Sequence, residues 1–433
     1  RRSVGVEGHR RPVRGRSLSL DFATHSEFDL CASKGRTSHT GSEGRAVRML
    51  AAARSMSAFA LRRARFPTHV TRYAPGSLAP LARRAVASPL CAASEAAAKG
   101  PATPAGGDAK APYPPLKVTA PGRVVALGDV HGDIGQARRA LSIAGVLGDG
   151  GDAVNPEWTG GDTVVVQVGD VLDRGDDEIA ILILLQKLHK QAEAQGGAVY
   201  ILNGNHEVLN VSGDFRYVTQ GAFQESMRFG EHLVNLFGSA FKEAFGGGED
   251  DPRKKQVKAR VGLFSPGGPL AQQLAMNSTV LIVNDTVFAH GGLMPRHVEF
   301  GLERLNNAVA DWMRGAEISS EEDRTALGMA IGSVKDSVVW NRTFGTENFV
   351  TDSDRDRACE VLGNTLDAIT EKYGPATRLV VGHTPQLGGC NGECDGRIWR
   401  IDVGMSFGVV GADPEVIEID GETVRVLNSR VPA

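Results

Sequence analysis

Between residues 123 and 386, short apolar runs of β-forming residues repeatedly stop at a glycine beside Asp, Asn or His. "RVVALGDVHGD" (123–133), "TVVVQVGDVLDRGDDE" (163–178), "GAVYILNGNHEV" (197–208), "TVLIVNDTVFAHGGL" (279–293) and "TRLVVGHTPQ" (377–386) share this form. Val-rich runs of that length read as buried strands. The turns behind them put polar side chains at strand ends, where α/β sheets hold ligands. "IGQARRALSIAG" (134–145) and "IAILILLQKLH" (179–189) carry helical apolar spacing between the strands. The pattern predicts an α/β domain. What recurs is an architecture, without an internal sequence repeat.

Sorted by chemistry, the strand ends supply Asp129, His131, Asp170, Asn205, His290 and His383. Two carboxylates, one amide and three imidazoles suit Mn, Fe or Zn, whereas Ca or Mg favours an all-oxygen set. Six ligands are too many for one metal with an open position, and they suit two metals sharing a bridging carboxylate.

"GDVHG" (128–132), "GDVLDRG" (169–175), "GNHE" (204–207), "HGG" (290–292) and "GHT" (382–384) resemble, in order and spacing, the signature of the PPP group of metallophosphatases with the calcineurin-like phosphoesterase fold. The resemblance spans about residues 120–408. "SGDFRYV" (212–218) and "CNGECDGRIWRIDVGMSFG" (390–408) look most like the Shewanella-like protein phosphatases. It implies a metallophosphoesterase-type β-sandwich flanked by helices, with a helical cap insertion over about 209–278. It also implies that Asp129 and His131 hold one metal, that Asn205, His290 and His383 hold the other, and that Asp170 bridges them. Manganese is the expected metal, with iron or zinc as alternatives. A water activated between the two would attack phosphorus in line. His206 would protonate the leaving oxygen, Asp173 would orient that ring, and Arg174 would bind the phosphoryl oxygens. Arg342, in "VVWNRTFG" (338–345), is expected as a second phosphate-binding arginine. The chain departs from eukaryotic Ser/Thr phosphatases where "DVGMSFG" (402–408) replaces their "SAPNY" loop.

Other polar residues invite plainer readings. His189, His232 and His297 are expected on the surface or in packing. Asp133 suits either a helix N-cap or contact with metal-bound water, and Glu207 could also touch such water. Asp176, Asp177 and Glu178 read as a solvated helix start. Cys390 and Cys394 are four apart, a spacing that leaves a disulfide, a metal pair or neither open, and no second pair completes a zinc site. Resemblance to the subfamily, and a position seven residues beyond His383, keep a redox-sensitive Cys390–Cys394 pair among these open readings. Cys359 is expected to be buried in a helix.

The two ends of the chain differ in charge. Residues 1–112 hold 19 Lys+Arg against 7 Asp+Glu, leaving 29 against 44 in the remainder. From Met49 to Ser94 there is no acidic residue, and arginines are scattered among Ala, Ser, Leu and Pro. That composition predicts a disordered basic leader and linker over 1–115, with an organelle transit peptide at about 49–95, addressed to a plastid or, alternatively, a mitochondrion. A basic tail for nucleic acid or membrane surfaces is the competing reading. The catalytic domain is expected over 116–433. Its net negative charge disfavours a nuclease, and no membrane span is expected in the leader. Given the resemblance, a phosphoprotein substrate is the first expectation, favoured by the cap insertion and the Cys-containing loop. A hydrolase of bis-nucleoside polyphosphates on the same core is the alternative, and the complete ligand set argues against a non-catalytic scaffold.

Overall fold

The computed structural model describes residues 112–431, except for residues 152–154, 239–241, 243, 246–247 and 334. The basic leader lies outside the described residues. In chain order the strands are β1 (Lys117–Val118), β2 (Val124–Leu127), β3 (Val164–Gln167), β4 (Ala198–Ile201), β5 (Val280–Val283), β6 (Thr286–Ala289), β7 (Arg378–Val381), β8 (Asn391–Glu393), β9 (Ile398–Arg400), β10 (Val416–Asp420) and β11 (Thr423–Leu427). They form two sheets, ordered β1-β5-β6-β7-β9-β8 and β11-β10-β2-β3-β4. β2, β3 and β4 run parallel, as do β6, β7 and β9. Both sets therefore release their loops at the same kind of edge.

Strand periodicity explains the sandwich. Val124 and Ala126 of β2, Val164 and Val166 of β3, and Ala198 of β4 share one apolar cluster with Leu281, Val283, Phe288 and Val380 of the other sheet. The alternate residues Val125, Leu127 and Val165 face a second cluster with helix side chains. Successive side chains point to opposite faces of a strand, so a run that is apolar throughout must be covered on both sides. Burial of each large aliphatic or aromatic side chain contributes about 1.5–3 kcal/mol.

The helices that cover the outer faces are α1 (Ile134–Ile143), α2 (Glu178–Glu193) and α3 (Asn205–Val211), which follow β2, β3 and β4. Next come α4 (Gln220–Phe237), α5 (Pro252–Phe264) and α6 (Pro269–Leu274). α7 (Pro295–Phe300), α8 (Leu302–Met313), α9 (Glu321–Ile331) and α10 (Asp352–Tyr373) cover the other sheet. α4 to α6 occupy the stretch read as a cap. Phe229, Leu233, Leu263 and Phe264 pack into the same core as α1 and α2, so these helices join the body directly. Asp133 caps α1, its carboxylate accepting the Gln136 N–H at 3.0 Å. No described helix is long and apolar enough to cross a membrane.

Two sequence expectations fail. Cys390 does not pair with Cys394; the disulfide joins Cys359 on α10 to Cys394, with Cα atoms 5.4 Å apart. Cys390 and Cys394 flank β8, and four residues of extended chain span roughly 13 Å, beyond the ~7 Å that a disulfide tolerates. Cys390 is a free thiol whose Sγ lies 3.7 Å from the Ile401 carbonyl oxygen. Glu178 is not at a solvated helix start but fully buried, because Arg260 of α5 arrives from 82 residues away to pair with it at 2.6 Å.

Candidate active site

The loops after β2, β3, β4, β6 and β7 converge, and they bring all six expected ligands together in a buried cluster. Asp170 sits at its centre. Its Oδ2 lies 3.2 Å from His290 Nε2, 3.8 Å from His131 Nε2 and 3.9 Å from His206 Nε2. The Asp170 Oδ1 accepts the His206 backbone N–H at 2.9 Å. Asp129 accepts the His383 backbone N–H, which ties the loop after β2 to the loop after β7. Asn205 Oδ1 lies 3.0 Å from His290 Nε2.

Tight backbone makes this convergence feasible. His131, Asp170, Asp173, Arg174 and His383 all have positive φ, between 42° and 69°. Left-handed backbone is costly for residues with a Cβ and collects at functional sites. Glycine is required where loops touch: a Cβ on Gly204 would lie 2.2 Å from Asp170 Oδ1. Glu207 locks two loops together. Its carboxylate accepts the N–H groups of Asp170, Val171, Leu172 and Gly204 at 2.7–3.1 Å. It therefore acts as a brace rather than facing metal-bound water.

Hydrogen bonds set the imidazole tautomers. His131 Nδ1 donates to the Leu172 carbonyl at 3.0 Å and His290 Nδ1 to the Val168 carbonyl at 2.9 Å. Each ring thus turns Nε2 toward Asp170, the usual orientation of a metal-ligating histidine. His290 Nε2 then faces two oxygens, of Asp170 and Asn205, which a cation or a second ring proton would satisfy. His383 Nε2 is buried without a hydrogen-bond partner among the described residues. These observations, with a mixed nitrogen and oxygen donor set, fit divalent cations of the Mn, Fe or Zn kind. Two overlapping groups qualify, His131–Asp170–His206 and Asp170–His290–His383.

Electrostatics point the same way. Burial, together with the neighbouring Asp402 and Asp170, holds the Asp129 carboxyl well above its ordinary range. Burial raises Asp402 to about 6 and Glu207 to about 7. Burial also works against the Asp170 carboxylate, but His290 and His206 outweigh it and hold the group well below its usual value. Burial lowers the His131 ring to about 4. His290 and His206 go the other way: burial opposes their charge, yet Asp170 outweighs it and keeps both rings above the ordinary histidine value, with Asp173 adding to the effect at His206. The His206 Nδ1 lies 2.6 Å from Asp173 Oδ2.

Both arginines flank the cluster. Arg174 lies over the Tyr217 ring at 4.9 Å, and that ring stands 5.1 Å from His206. Arg342 is exposed, with Nη1 3.4 Å from Thr384 Oγ1, on the His383 side. His189 is half-buried and accepts the Val199 N–H, while His297 is fully buried; neither joins the cluster. Sequence reasoning missed Asp402 and a group behind His206 comprising Asn210, Glu178 and Arg260. Asp402 follows β9 in the quoted "DVGMSFG", so its position at a strand end was a usable signal. The other three carry no local one.

Comparison with known proteins decides the lineage: the calcineurin-like phosphoesterase family matches residues 122–387. The chain belongs to that family. This phosphoesterase is 39% identical over 327 residues to Shewanella-like protein phosphatase 2 of Arabidopsis thaliana, covering 71% of its own chain and 78% of that relative. It is 27% identical over 311 residues to Shewanella-like protein phosphatase 1 of Plasmodium berghei, covering 71% and 74%. The crystal structure of a cold-active protein-tyrosine phosphatase from a psychrophilic Shewanella superposes with a TM-score of 0.50 at 22% identity, over 73% of this chain and 83% of that one, which supports the fold alone. The phosphoesterase is a hydrolase of the Shewanella-like type, as its motifs indicated, with residue groups suited to metal.

Proposed function

We propose that this phosphoesterase is a phosphoprotein phosphatase that hydrolyses phosphomonoesters with two divalent cations. The observation that carries the reading is the Asp170 carboxylate ringed by three imidazole Nε2 atoms at 3.2–3.9 Å, beside a His206–Asp173 pair at 2.6 Å. Asp129 and His131 would hold one cation, Asn205, His290 and His383 the other, and Asp170 would touch both. When bound, such a pair supplies charge for the phosphoryl oxygens and an activated water as nucleophile.

The remaining work falls to the chain. Arg174 and Arg342, at opposite ends of the cluster, bind phosphoryl oxygens through guanidinium forks. Asp173 holds His206 by Nδ1, which leaves Nε2 free to give a proton to the departing oxygen. Asp173 beside Nδ1 favours the protonated ring that has to give this proton. Manganese is the ion expected from the resemblance, and the donor set also accommodates iron or zinc. The names of the relatives favour a phosphoprotein over a dinucleoside polyphosphate. The deciding assay gives the full chain and Mn²⁺ three phosphopeptides (phosphoserine, phosphothreonine and phosphotyrosine) and a dinucleoside polyphosphate. Turnover confined to the anhydride would overturn the reading.

We also infer delivery to a plastid from the arginine-rich, acid-free stretch of the leader. A reporter fused to residues 49–115 should enter that organelle; mitochondrial uptake would favour the alternative address, and diffuse cytosolic fluorescence would leave a plain tail.

A further inference from the structure

Arg260 belongs to α5, in the insertion, yet its side chain is fully buried behind the His206–Asp173 pair. A guanidinium offers five N–H bonds, and here each has an acceptor. Nε and Nη2 reach Asn210 Oδ1 at 2.9 and 2.6 Å. Nη1 and Nη2 reach the two Glu178 oxygens at 2.6 and 3.1 Å. Nη1 also reaches Ser226 Oγ at 3.2 Å. The rings of Phe215, Phe223 and Phe264 surround the group at 4.7–5.8 Å. Water is excluded, so every polar atom must find its partner inside the cluster.

Two of the three residues that accept from Arg260, Asn210 and Glu178, also hold Asp173. Asn210 takes two N–H groups on its oxygen, which fixes its amide so that Nδ2 donates to Asp173 Oδ1 at 3.0 Å and to the His206 carbonyl at 2.9 Å. Without the guanidinium the amide would lose the two donors that hold its oxygen in place, and the reversed orientation would set that oxygen against the Asp173 carboxylate. Glu178 Oε1 accepts the Asp173 backbone N–H at 2.5 Å, at a residue whose φ is 69°. Arg260 therefore controls the carboxylate through Asn210 and the strained backbone through Glu178. Its Nη2 also stands 3.9 Å from Asp173 Oδ1.

We propose that Arg260 is a positioning residue for proton donation: through Asn210 and Glu178 it aims Asp173, and through Asp173 it aims His206 Nε2 at the leaving oxygen. The insertion would then take part in the reaction from behind. The inference rests on the reading of His206 as general acid.

The test exploits leaving-group chemistry. An aryl phosphate releases a stable phenolate and needs little protonation, whereas an alkyl phosphate needs a well-aimed donor. A purely structural defect would lower both turnovers alike. In the full chain with Mn²⁺, p-nitrophenyl phosphate and a phosphoserine peptide are compared for Arg260→Lys and for the paired Arg260→Met, Glu178→Gln. The paired change removes both buried charges and keeps volume, so it should fold even if the single change does not. Each is expected to lower kcat for phosphoserine by about 10-fold, part of the general-acid contribution, with KM and aryl-phosphate turnover near the parent values. Equal losses on both substrates, or no loss in the folded paired variant, would overturn the role of Arg260. His206→Asn is the reference: if it shows no leaving-group dependence, the general-acid reading falls and the inference falls with it; if it does and the Arg260 variants do not, only the inference falls.

Discussion

The metal-suited cradle and the polar cluster behind His206 are both buried, but they are balanced differently. In the cluster, protein atoms satisfy the charges: the five Arg260 N–H bonds meet four oxygens of Asn210, Glu178 and Ser226, although burial still raises the Glu178 carboxyl. In the cradle, Asp129, Asp402 and Glu207 carry raised pKa values, and His290 Nε2 faces two oxygens. Buried like charges and facing lone pairs are stable only with added cations or protons. A cluster built for orientation is closed by the chain itself, whereas a cradle built for chemistry leaves its balance to ions.

The sharpest way to break this contrast is Asp170→Asn. Asp170 Oδ2 is shared by three imidazoles, so neutralising it disturbs both halves of the cradle while leaving the cluster behind His206 intact. Loss of several kcal/mol of charge stabilisation corresponds to a drop in kcat of about 10⁴-fold. Elemental analysis should find fewer than two metals per chain. Two metals and near-parent activity would remove Asp170 from the bridging position.

His206→Asn comes next in size and touches the other region. Turnover of a phosphoserine peptide should fall on the order of 10²- to 10³-fold, with metal content unchanged, because the ring gives a proton and holds no metal in this reading. His206 nevertheless shares one candidate ligand group with His131 and Asp170. Loss of one metal in this variant would move His206 into the cradle.

Metal removal tests the charge argument through stability. Raised carboxyl pKa values mean that the folded, metal-stripped protein holds protons that the unfolded chain has already lost. The groups are Asp402, at about 6, and Glu207, at about 7. Because these two groups bind more protons folded than unfolded, their contribution to stability falls as pH rises from roughly 4 to 7, whereas His131, held at about 4, contributes in the opposite sense over the same range. The cost from Asp402 alone is on the order of 2–3 kcal/mol. Bound Mn²⁺ should cancel it, so the Tm difference between Mn²⁺-loaded and EDTA-stripped protein should widen by several degrees from pH 5 to pH 7. A difference that narrows over that range would contradict the charge balance assigned to the cradle.

The cradle was legible in the sequence because its residues sit directly behind the strands that position them: Asp129 two residues after β2, Asn205 four after β4, His290 one after β6. Local spacing and site chemistry coincide there. Arg260 and Glu178 are 82 residues apart, and Glu178 opens a helix beside two exposed acids, so a solvated start was the natural local reading. Only the fold, which carries the Arg260 side chain of α5 across to Glu178 on α2 and Asn210 on α3, turns it into a buried partner. The disulfide failed for a related reason. Closeness in sequence suggested Cys390 with Cys394, but extended β8 separates them and the helix delivers Cys359 instead.

That disulfide supports the smallest prediction for activity. It closes a segment with a sequence separation of 35, joining α10 to the β8–β9 turn. Restricting such a loop in the unfolded chain contributes about 3–4 kcal/mol at most. The turn holds Cys394 and Asp395 at φ 50° and 58°, and β9 leads on toward Asp402. Even so, Asp402 is held by its own contacts: its Oδ1 accepts the Gly404 N–H at 2.8 Å and its carbonyl accepts the Gln386 N–H at 2.7 Å. Those contacts do not pass through the sulfur atoms. Cys359→Ser with Cys394→Ser should therefore lower Tm by several degrees and leave kcat at 25 °C within about twofold of the parent, while Cys390→Ser, at a half-buried thiol without a partner sulfur, should leave kcat unchanged. A titration against a dithiol buffer supplies the check. Activity that tracks the thiol state at a temperature where both forms are folded would show that β9 transmits the bond to the cradle after all.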